Sequence, residues 1–558
     1  MKRLAFILGV VVPFLSFGQQ SDSTKTDIGS ITGNFSIIWQ SYSEDSLIGA
    51  QVPPEKTGFN AWGNLIYTKG KFSAGMRYES YLNPLLGYPG RFKGTGIGYR
   101  FARYSDKQFD ITIGNFYDQF GSGLIFRSFE ERYLGIDNAI DGFRVVLTPI
   151  DAVRIKGIYG KQRLDFDDGL INGDGILRAV DAEINLNGLK EKWGEKDLQV
   201  TLGGSFVSRY QAASQIEKDT LVLEVPNNVG SYAARLNVFY KGWTFLGEYV
   251  GKINDPNADN GYIYKPGQGF IANIAYTQKG FGFNLQGKLV DNLSFRSDRN
   301  LLLFDAPVNF MPSITKVHTY NLAATLYPYA TVIDGEVGFN AEMFYKIPKD
   351  TPLGGKYGTN LTVNFAAANN IDTTGLSGID RIIDGYQRNS FGFGDSKFVR
   401  DFNVEVSKKF SKNFKAKYTY YYLEFNTLTT PVTTDFKGIV YADIHVLEFA
   451  NKLSTHHSLR TELQALTTKQ DKGDWATVLV EYSYSPHWFV SVMDQYNYGN
   501  PINDRRVHYL FGTLGYINGA NRIAIGYGKR REGIFCVGGV CRAVPASNGF
   551  EITITSSF

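Results

Sequence analysis

Apolar side chains occupy every second position in many segments of the chain. In the segment 71–79, Phe72, Ala74, Met76 and Tyr78 alternate with residues that are polar or glycine. A period of two predicts β-strands with one apolar and one polar face, as in strands that separate lipid from a wet lumen. A soluble β-sandwich would also alternate, but its apolar face would point inward. The pattern recurs in the segments 281–289, 336–345, 402–407 and 459–465.

The carboxyl terminus favours the membrane interpretation. The segment 549–558 alternates apolar and polar residues and ends in an aromatic, Phe558. A last strand with this pattern and a terminal aromatic is typical of the closing strand of a bacterial outer-membrane β-barrel. We therefore expect Phe558 to end the strand that closes the barrel.

The amino terminus agrees with this compartment. Lys2 and Arg3 precede a short apolar stretch and a small-residue site, a pattern that predicts a removed signal peptide over 1–18. The polar segment 19–29 follows and predicts a short periplasmic lead-in without a fold of its own. The sequence thus predicts one domain, an integral outer-membrane barrel over 30–558.

The spacing of turn residues predicts the size of this barrel. Short turns alternate with long connections, and the alternation predicts about 24 to 26 strands in a large antiparallel transmembrane β-barrel of the all-β class. The strand pattern of the segment 358–396 is ambiguous, so the number of strands within this range is open. A lumen of this width is too large for wall side chains to fill, so it is either plugged or conducting. The long connections include 120–140, 211–229, 291–315 and 529–548.

Composition and charge exclude several other classes. The chain has 60 Gly, 35 Tyr and 41 Phe, and no apolar run after residue 18 is long enough for a membrane helix. With 58 basic and 54 acidic residues the net charge is +4, which is too balanced to predict a nucleic-acid partner. Since no nucleophile elbow, phosphate-binding loop or HExxH motif is present, the sequence does not predict an enzyme.

One long connection, 121–141, is rich in charged residues. In porins a long loop near the amino-terminal third folds into the lumen and sets its width and field, so these charges form a candidate constriction. The alternative is an ordinary extracellular loop whose charges pair with each other. The candidate residues are Arg127, Glu130, Glu131, Arg132, Asp137 and Asp141.

Basic residues also accumulate on the polar phase of the early strands. A ladder of such residues in the lumen would favour anionic solutes. Acidic residues on the same phase, such as Glu79 and Asp110, favour instead a lining of ion pairs. The candidate lumen residues are Arg77, Arg100, Arg144, Arg154 and Lys156.

Two further groups of residues suggest local chemistry. Cys536 and Cys541 enclose four residues, two of them glycine, and no histidine is nearby, so a structural disulfide is expected rather than a zinc site. An oxygen-rich loop is a candidate for calcium, but its spacing departs from that of an EF-hand. No cofactor or metal is therefore predicted, and calcium remains an alternative at Asp165, Asp167, Asp168 and Asp174.

Two segments carry a resemblance to a known family. The sequences NFYDQFGSGLIFRSFEERYLGIDNAIDG (115–142) and GYGKRREGIFCVGGVCRAVPASNGFEITITSSF (526–558) are similar to a family of large outer-membrane proteins from Bacteroidota. This family is classed under a domain of unknown function. The resemblance implies an outer-membrane barrel and a shared loop with the CVGGVC motif, and it brings no substrate, catalytic residue or cofactor.

The leading functional hypothesis is a solute channel or uptake porin narrowed by the loop 121–141. The alternative is a non-transporting barrel that serves as a subunit or scaffold of an outer-membrane assembly or secretion complex. Exposed aromatic residues in long loops, such as Tyr262 and Tyr264, support this second hypothesis. The expected partners are outer-membrane lipid and the barrel assembly machinery, with other outer-membrane proteins in the second case.

Overall fold

The wall of the protein is one closed sheet of 24 strands. The computed structural model describes residues 28–190, 197–218, 221–302, 305–429, 437–537 and 540–558, so the predicted signal peptide and most of the lead-in lie outside the described residues. Neighbouring strands along the chain pair antiparallel. In chain order they are β1 Ser30–Ser41, β2 Thr57–Lys69, β3 Phe72–Leu82, β4 Phe92–Ser105, β5 Phe109–Phe116, β6 Ile140–Ile150, β7 Val153–Asp167, β8 Leu170–Asn185, β9 Leu198–Tyr210, β10 Asn228–Tyr240, β11 Trp243–Lys252, β12 Gly267–Gln278, β13 Phe281–Asp291, β14 Gly335–Ile347, β15 Thr359–Gly375, β16 Tyr386–Lys409, β17 Phe414–Asn426, β18 Ile439–Lys452, β19 His457–Thr467, β20 Trp475–Tyr484, β21 Trp488–Tyr496, β22 His508–Asn518, β23 Asn521–Arg530 and β24 Ser547–Ser557.

The first and last strands pair and close the sheet. Asn34 of β1 lies opposite Ser557 of β24, and the ladder continues to Gln40 and Glu551. The amide of Phe558 donates to the carbonyl oxygen of Gly33 at 2.9 Å, and the amide of Gly33 donates to the carbonyl oxygen of Phe558 at the same distance. The sheet is therefore a closed barrel, which confirms the predicted fold class, and its strand number lies at the lower end of the expected range.

The outer surface of the wall is apolar. Along β3, Phe72, Met76 and Tyr78 are exposed while Arg77 is buried, as the period of two predicts. An outward apolar band around a closed barrel is what a wall in contact with lipid requires. Other large apolar side chains exposed on the strands include Phe206, Leu236, Leu246, Ile274, Leu285, Leu447, Leu463, Val478, Val492, Leu514 and Ile525.

The connections are short at one end of the barrel and mostly long at the other. The longest is the segment 292–334 between β13 and β14. The ambiguous segment 358–396 contains β15, a short helix and the start of β16. The two short helices are Asn321–Leu326 and Gly378–Ile383, and no helix in the described part of the chain is long and apolar enough to cross a membrane. Short 3-10 turns lie at Arg132–Leu134, Leu186–Leu189, Gly355–Tyr357, Thr427–Thr429 and Asn503–Arg505. Short hairpins outside the wall pair Gln119–Phe120 with Phe126–Arg127, Glu130–Glu131 with Ile136–Asp137, Gln215–Lys218 with Leu221–Glu224, and Gly533–Val537 with Val540–Val544.

The contrast between the two faces of the wall gives a first prediction. We expect Leu285→Arg, on the outer face near the middle of β13, to lower the free energy of unfolding in lipid by about 2–4 kcal/mol. Gln286→Arg, one residue further and on the inner face, is the matched control and should cost much less. Urea unfolding in lipid vesicles measures both variants. Equal losses at the two positions would contradict the assignment of the faces.

Candidate functional site

The segment 117–139, between β5 and β6, has a buried apolar part. Phe120, Leu124, Ile125 and Phe126 have no exposed surface. Burial of each such side chain is worth about 1.5–3 kcal/mol, so the segment is held by packing. The wall residues in the same cluster include Ile158, Leu177, Val207, Val229, Val250 and Val290.

These wall residues belong to the inner face. Val207 and Val250 are fully buried, whereas the adjacent Phe206 and Tyr249 are 52% and 41% exposed. Since successive side chains of a strand point to opposite faces, the buried valines lie on the face opposite the outer apolar band. The segment 117–139 therefore packs against inward-facing side chains of β7 to β13.

A glycine turn brings the segment close to the wall. Gly121 and Gly123 have φ of +51° and +93°, a region that favours glycine. A Cβ atom on Gly121 would lie 2.4 Å from Cδ of Arg235, so no larger residue fits there. Between the two glycines, the amide of Ser122 donates to Oε2 of Glu248 at 2.7 Å. The turn thus places backbone against the buried polar groups of β10 and β11.

Asp118 ties the start of the segment to two basic residues of the wall. Its carboxylate accepts a hydrogen bond from Nζ of Lys156 at 2.7 Å and another from Nε of Arg144. Only 5% of the Asp118 side chain is exposed. Burial alone would raise the pKa of Asp118, but Lys156 and Arg144 lower it below its usual value. The carboxylate is therefore charged at neutral pH.

The charges at the end of the segment join a buried ionic cluster. Arg163 of β7 donates to Glu79 at 2.7 Å and to Asp137 at 2.8 Å, and neither Arg163 nor Glu79 has an exposed side chain. Arg77 bonds the same two carboxylates and lies 3.1 Å from Glu130. Two arginines of the wall thus hold two acidic residues of the segment.

A second segment, 292–334, contacts the first through backbone hydrogen bonds. The amide of Phe310 donates to the carbonyl of Gly123 at 2.9 Å, and the amide of Arg127 donates to the carbonyl of Val308 at 2.9 Å. Nδ2 of Asn138 donates to the carbonyl of Pro307 at 2.9 Å. The apolar residues of the second segment that join the same cluster are Leu293, Phe295, Val308 and Met311.

The later part of the second segment packs on another sector of the wall. The amide of Leu322, in the short helix Asn321–Leu326, donates to Oε1 of Gln464 at 3.1 Å. Nε2 of His318 lies 2.6 Å from Oδ2 of Asp401 in β16. The buried cluster here combines Tyr320, Leu322, Ala323 and Tyr327 of the segment with Tyr421, Leu423, Val446, Leu466 and Trp475 of β17 to β20.

The structure separates the six candidate constriction residues. Glu130 and Asp137 join the ionic cluster, and Arg132 pairs with Glu130 at 2.6 Å. Arg127 lies over the ring of Phe310 at 4.0 Å, and burial lowers its pKa. Asp141, at the start of β6, pairs instead with Arg100 at 3.3 Å. Glu131 is half-buried beside Glu130.

Most of the candidate lumen bases have carboxylate partners. Arg77 joins the cluster above, Arg100 pairs with Asp141, and Arg144 and Lys156 pair with Asp118. Arg154 is exposed and lies opposite Glu183 in the register of β7 and β8. The positive charge of this sector is therefore largely balanced by nearby carboxylates.

The cysteine and aspartate candidates lie in the long-loop region. Cys536 and Cys541 are direct partners in the hairpin formed by Gly533–Val537 and Val540–Val544. The side chain of Cys536 lies outside the described residues, so the disulfide stays a prediction. For the calcium alternative, the structure shows no group of three or more potential metal-ligating side chains within the ranges it describes. Three of its four residues have other partners: Asp165 pairs with Arg91, Asp167 with Lys93, and Asp168 accepts from the amide of Thr95.

Sequence reasoning missed the second segment as part of the site. Its interpretation stopped at a long loop near 291–315, whereas the residues that contact β16 to β20 lie between His318 and Tyr327. The available signal was the apolar run of 320–330, which follows a polar stretch without the period of a wall strand.

Comparison with known proteins places the chain in a family. The sequence model of DUF6029, described as a family of unknown function, matches residues 1–558. The chain belongs to this family. No curated protein matches it.

Solved barrels resemble the chain at low similarity. The siderophore receptor PirA from Pseudomonas aeruginosa is 11% identical over 96% of this chain and 82% of that chain, with a TM-score of 0.39. The outer membrane protein OpdK from Pseudomonas aeruginosa is 9% identical over 82% and 98%, with a TM-score of 0.32. OccAB4 from Acinetobacter baumannii is 8% identical over 85% and 100%, with a TM-score of 0.34. This similarity is too low to carry an argument about function.

The buried ionic cluster gives a second prediction. We expect Arg163→Met to lower the free energy of unfolding by about 3–5 kcal/mol, because Glu79 and Asp137 would lose a buried partner. Lys93→Met is the matched control: Lys93 and Asp167 form a pair whose side chains are 60% and 47% exposed, so its loss should cost about 0–1 kcal/mol. Urea unfolding of the purified barrel measures both, and equal effects would count against the cluster.

The contacts of Asp118 predict a dependence on pH. Because its pKa is lowered in the folded protein, the stabilisation is present above the usual aspartate pKa and is lost as the pH falls below about 4. Asp118→Asn should lack this stabilisation at pH 7, so its segment 117–139 should be cut faster by protease. Wild type and variant should converge in acid. Asp106→Asn, in an exposed turn, is the control, and a difference that persists unchanged at pH 3 would contradict the assignment.

Proposed function

We propose that this protein is an outer-membrane uptake barrel whose passage is narrowed by the segments 117–139 and 292–334. The observation that carries the proposal is the burial of Phe120, Leu124, Ile125 and Phe126 against inward-facing side chains of the wall. A segment packed on the inner face occupies space that would otherwise belong to the lumen. A barrel of this width without such segments would be a wide open pore.

The outer apolar band and the sequence of the termini support the membrane location. In this proposal the short turns face the periplasm and the long connections face the exterior, as in other barrels of this kind. The solute is a small hydrophilic molecule that passes beside the two segments. The protein then needs outer-membrane lipid and the barrel assembly machinery as partners for insertion, and no catalytic step.

A second candidate is a scaffold for other outer-membrane proteins. Its support is the region where β15 connects to β16: Ile379, in the connection, and Phe391, near the start of β16, are 56% and 70% exposed. Apolar side chains exposed beyond a barrel wall are typical of surfaces that contact another protein. This candidate and the uptake barrel differ in a measurable property, because a scaffold needs no passage.

Single-channel recording in planar lipid bilayers separates the two functions. We expect the wild-type barrel to conduct, and deletion of 119–138 to raise the conductance several-fold because the deleted residues narrow the passage. Deletion of 376–385, which lies between β15 and β16, is the matched control and should leave the conductance unchanged. The proposal fails if wild type and the 119–138 deletion are both silent. If the silent wild-type barrel also co-purifies with other outer-membrane proteins, the scaffold takes its place.

A further inference from the structure

The short-turn end of the barrel contains a cavity with a basic lining. Its volume is about 760 Å³, and it is bounded by β16 to β21 and the turns that join them. Lys409, Lys415 and Lys452 line it from β16, β17 and β18, and Lys412 lines it from the turn between the first two of these strands. Lysines from three consecutive strands and one turn thus line one volume, and the ammonium of Lys409 also lies 5.4 Å from the centre of the Tyr357 ring.

The three strand lysines lie on the inner phase of the wall. In β17, Lys415 shares its phase with the buried Thr419 and Tyr421, whereas the intervening Tyr418 is 37% exposed on the outer face. Lys409 lies directly opposite Lys415 in the register of β16 and β17, and residues opposite each other point to the same face. Lys452 shares the phase of the buried Val446. The lysines therefore face the interior at the mouth of the barrel.

The negative charge of the lining is already engaged. Glu481 is the carboxylate that lines the cavity, and its Oε2 accepts from Nη1 of Arg460 at 2.5 Å. Arg460 also bonds Glu448 at 2.9 Å and Glu462. Among the residues that the structure describes, no carboxylate lies within ion-pair distance of Lys412, Lys415 or Lys452. The lining holds four lysines and Arg460 against one carboxylate, that of Glu481, so it carries an excess of positive charge.

This sector differs from the first half of the barrel. There Arg77, Arg144 and Lys156 are each held by carboxylates of the segment 117–139 or the wall. The segment 292–334 contacts residues next to the cavity instead. The hydroxyl of Tyr320 donates to Oε2 of Glu448 at 3.3 Å, and the same oxygen accepts from Arg460 of the cavity lining. The basic cavity thus lies next to the segment that narrows the passage.

We propose that this cavity binds small solutes that carry two or more carboxylate or phosphate groups. Lysine ammonium groups act as point charges that attract such anions, and a low-dielectric wall around them concentrates the field in the mouth. Rings of basic side chains are a common basis of anion selectivity in pores. The inference rests on the proposed uptake function only for the claim that the bound anions are transported. Anion binding can be measured independently of transport.

The test compares three variants of the full barrel, purified in detergent without phospholipid. The first changes Lys409, Lys415 and Lys452 to Gln. The second changes the same residues to Arg, which keeps the charge. The matched control changes Lys69, Lys241 and Lys279 to Gln; these lysines are also exposed near short turns but do not line the cavity. Heat-modifiable migration in gels checks that each variant is folded.

Isothermal titration with citrate, inorganic pyrophosphate and the neutral sugar sucrose measures binding. We expect wild type to bind citrate and pyrophosphate but not sucrose, and the first variant to lose about tenfold or more in citrate affinity. The arginine variant and the matched control should bind as wild type does. Reversal potentials in a salt gradient should move towards cation selectivity in the first variant alone.

The outcomes distinguish this inference from the proposed function. If the barrel conducts and the first variant binds citrate like wild type, the inference is overturned and the uptake barrel stands. If the barrel is electrically silent but citrate binding needs the three lysines, the uptake function fails and the anion site stands. Transfer into nanodiscs tests whether the lysines bind the phosphate groups of lipid headgroups rather than those of a free solute. Loss of citrate binding in phosphatidylglycerol but not in phosphatidylcholine would assign the lysines to lipid headgroups and overturn the solute site.

Discussion

The pairing of β1 with β24 is the constraint on which the rest of the structure depends. Backbone N–H and C=O groups in contact with lipid have no water to bond, so a sheet that spans a membrane cannot keep an open edge. The mutual hydrogen bonds of Gly33 and Phe558 complete this closure. Gly33 suits the position, because a Cβ there would lie 2.6 Å from the ring of Phe558. Once 24 strands close, the width of the interior follows, and wall side chains alone do not fill it.

The interior is organised around two connections that pack on the wall. Apolar residues on the inner phase, such as Val207, Val250 and Val446, are buried because the segments 117–139 and 292–334 cover them. Charged residues of the wall follow the same logic. Arg163 and Glu79 are buried, and their charges are stabilised because they pair with each other. Asp137 of the segment 117–139 is the second carboxylate that pairs with Arg163. The same contacts that hold the segments therefore shape the proposed passage.

The wall was predictable from sequence and the interior largely was not. A period of two identifies strands locally, so the outward positions of Phe72, Met76 and Leu463 follow from neighbouring residues alone. The contact between Gly123 and Phe310 joins residues far apart in the chain, and no local pattern encodes it. The charged residues of the segment 121–141 were recognised from the sequence, but their partners were not. Asp137 pairs with Arg77 and Asp141 with Arg100, and this choice depends on three-dimensional positions. The basic cavity was missed because Lys409, Lys412 and Lys415 flank one turn and Lys452 lies at another. Lysines at turns are ordinarily solvated, and no local pattern joins the two turns.

Hydrogen exchange of the intact barrel, followed by mass spectrometry of its peptides, tests the central claim most directly. Amides such as those of Ser122, Arg127 and Phe310 donate to groups of the wall or of the other segment, so exchange should be slow in 117–139 and 306–314. These peptides should exchange about as slowly as those of the wall, whereas 376–385 should exchange quickly. Fast exchange throughout 117–139 and 306–314, with a protected wall, would show that neither segment is packed in the interior and would contradict the account.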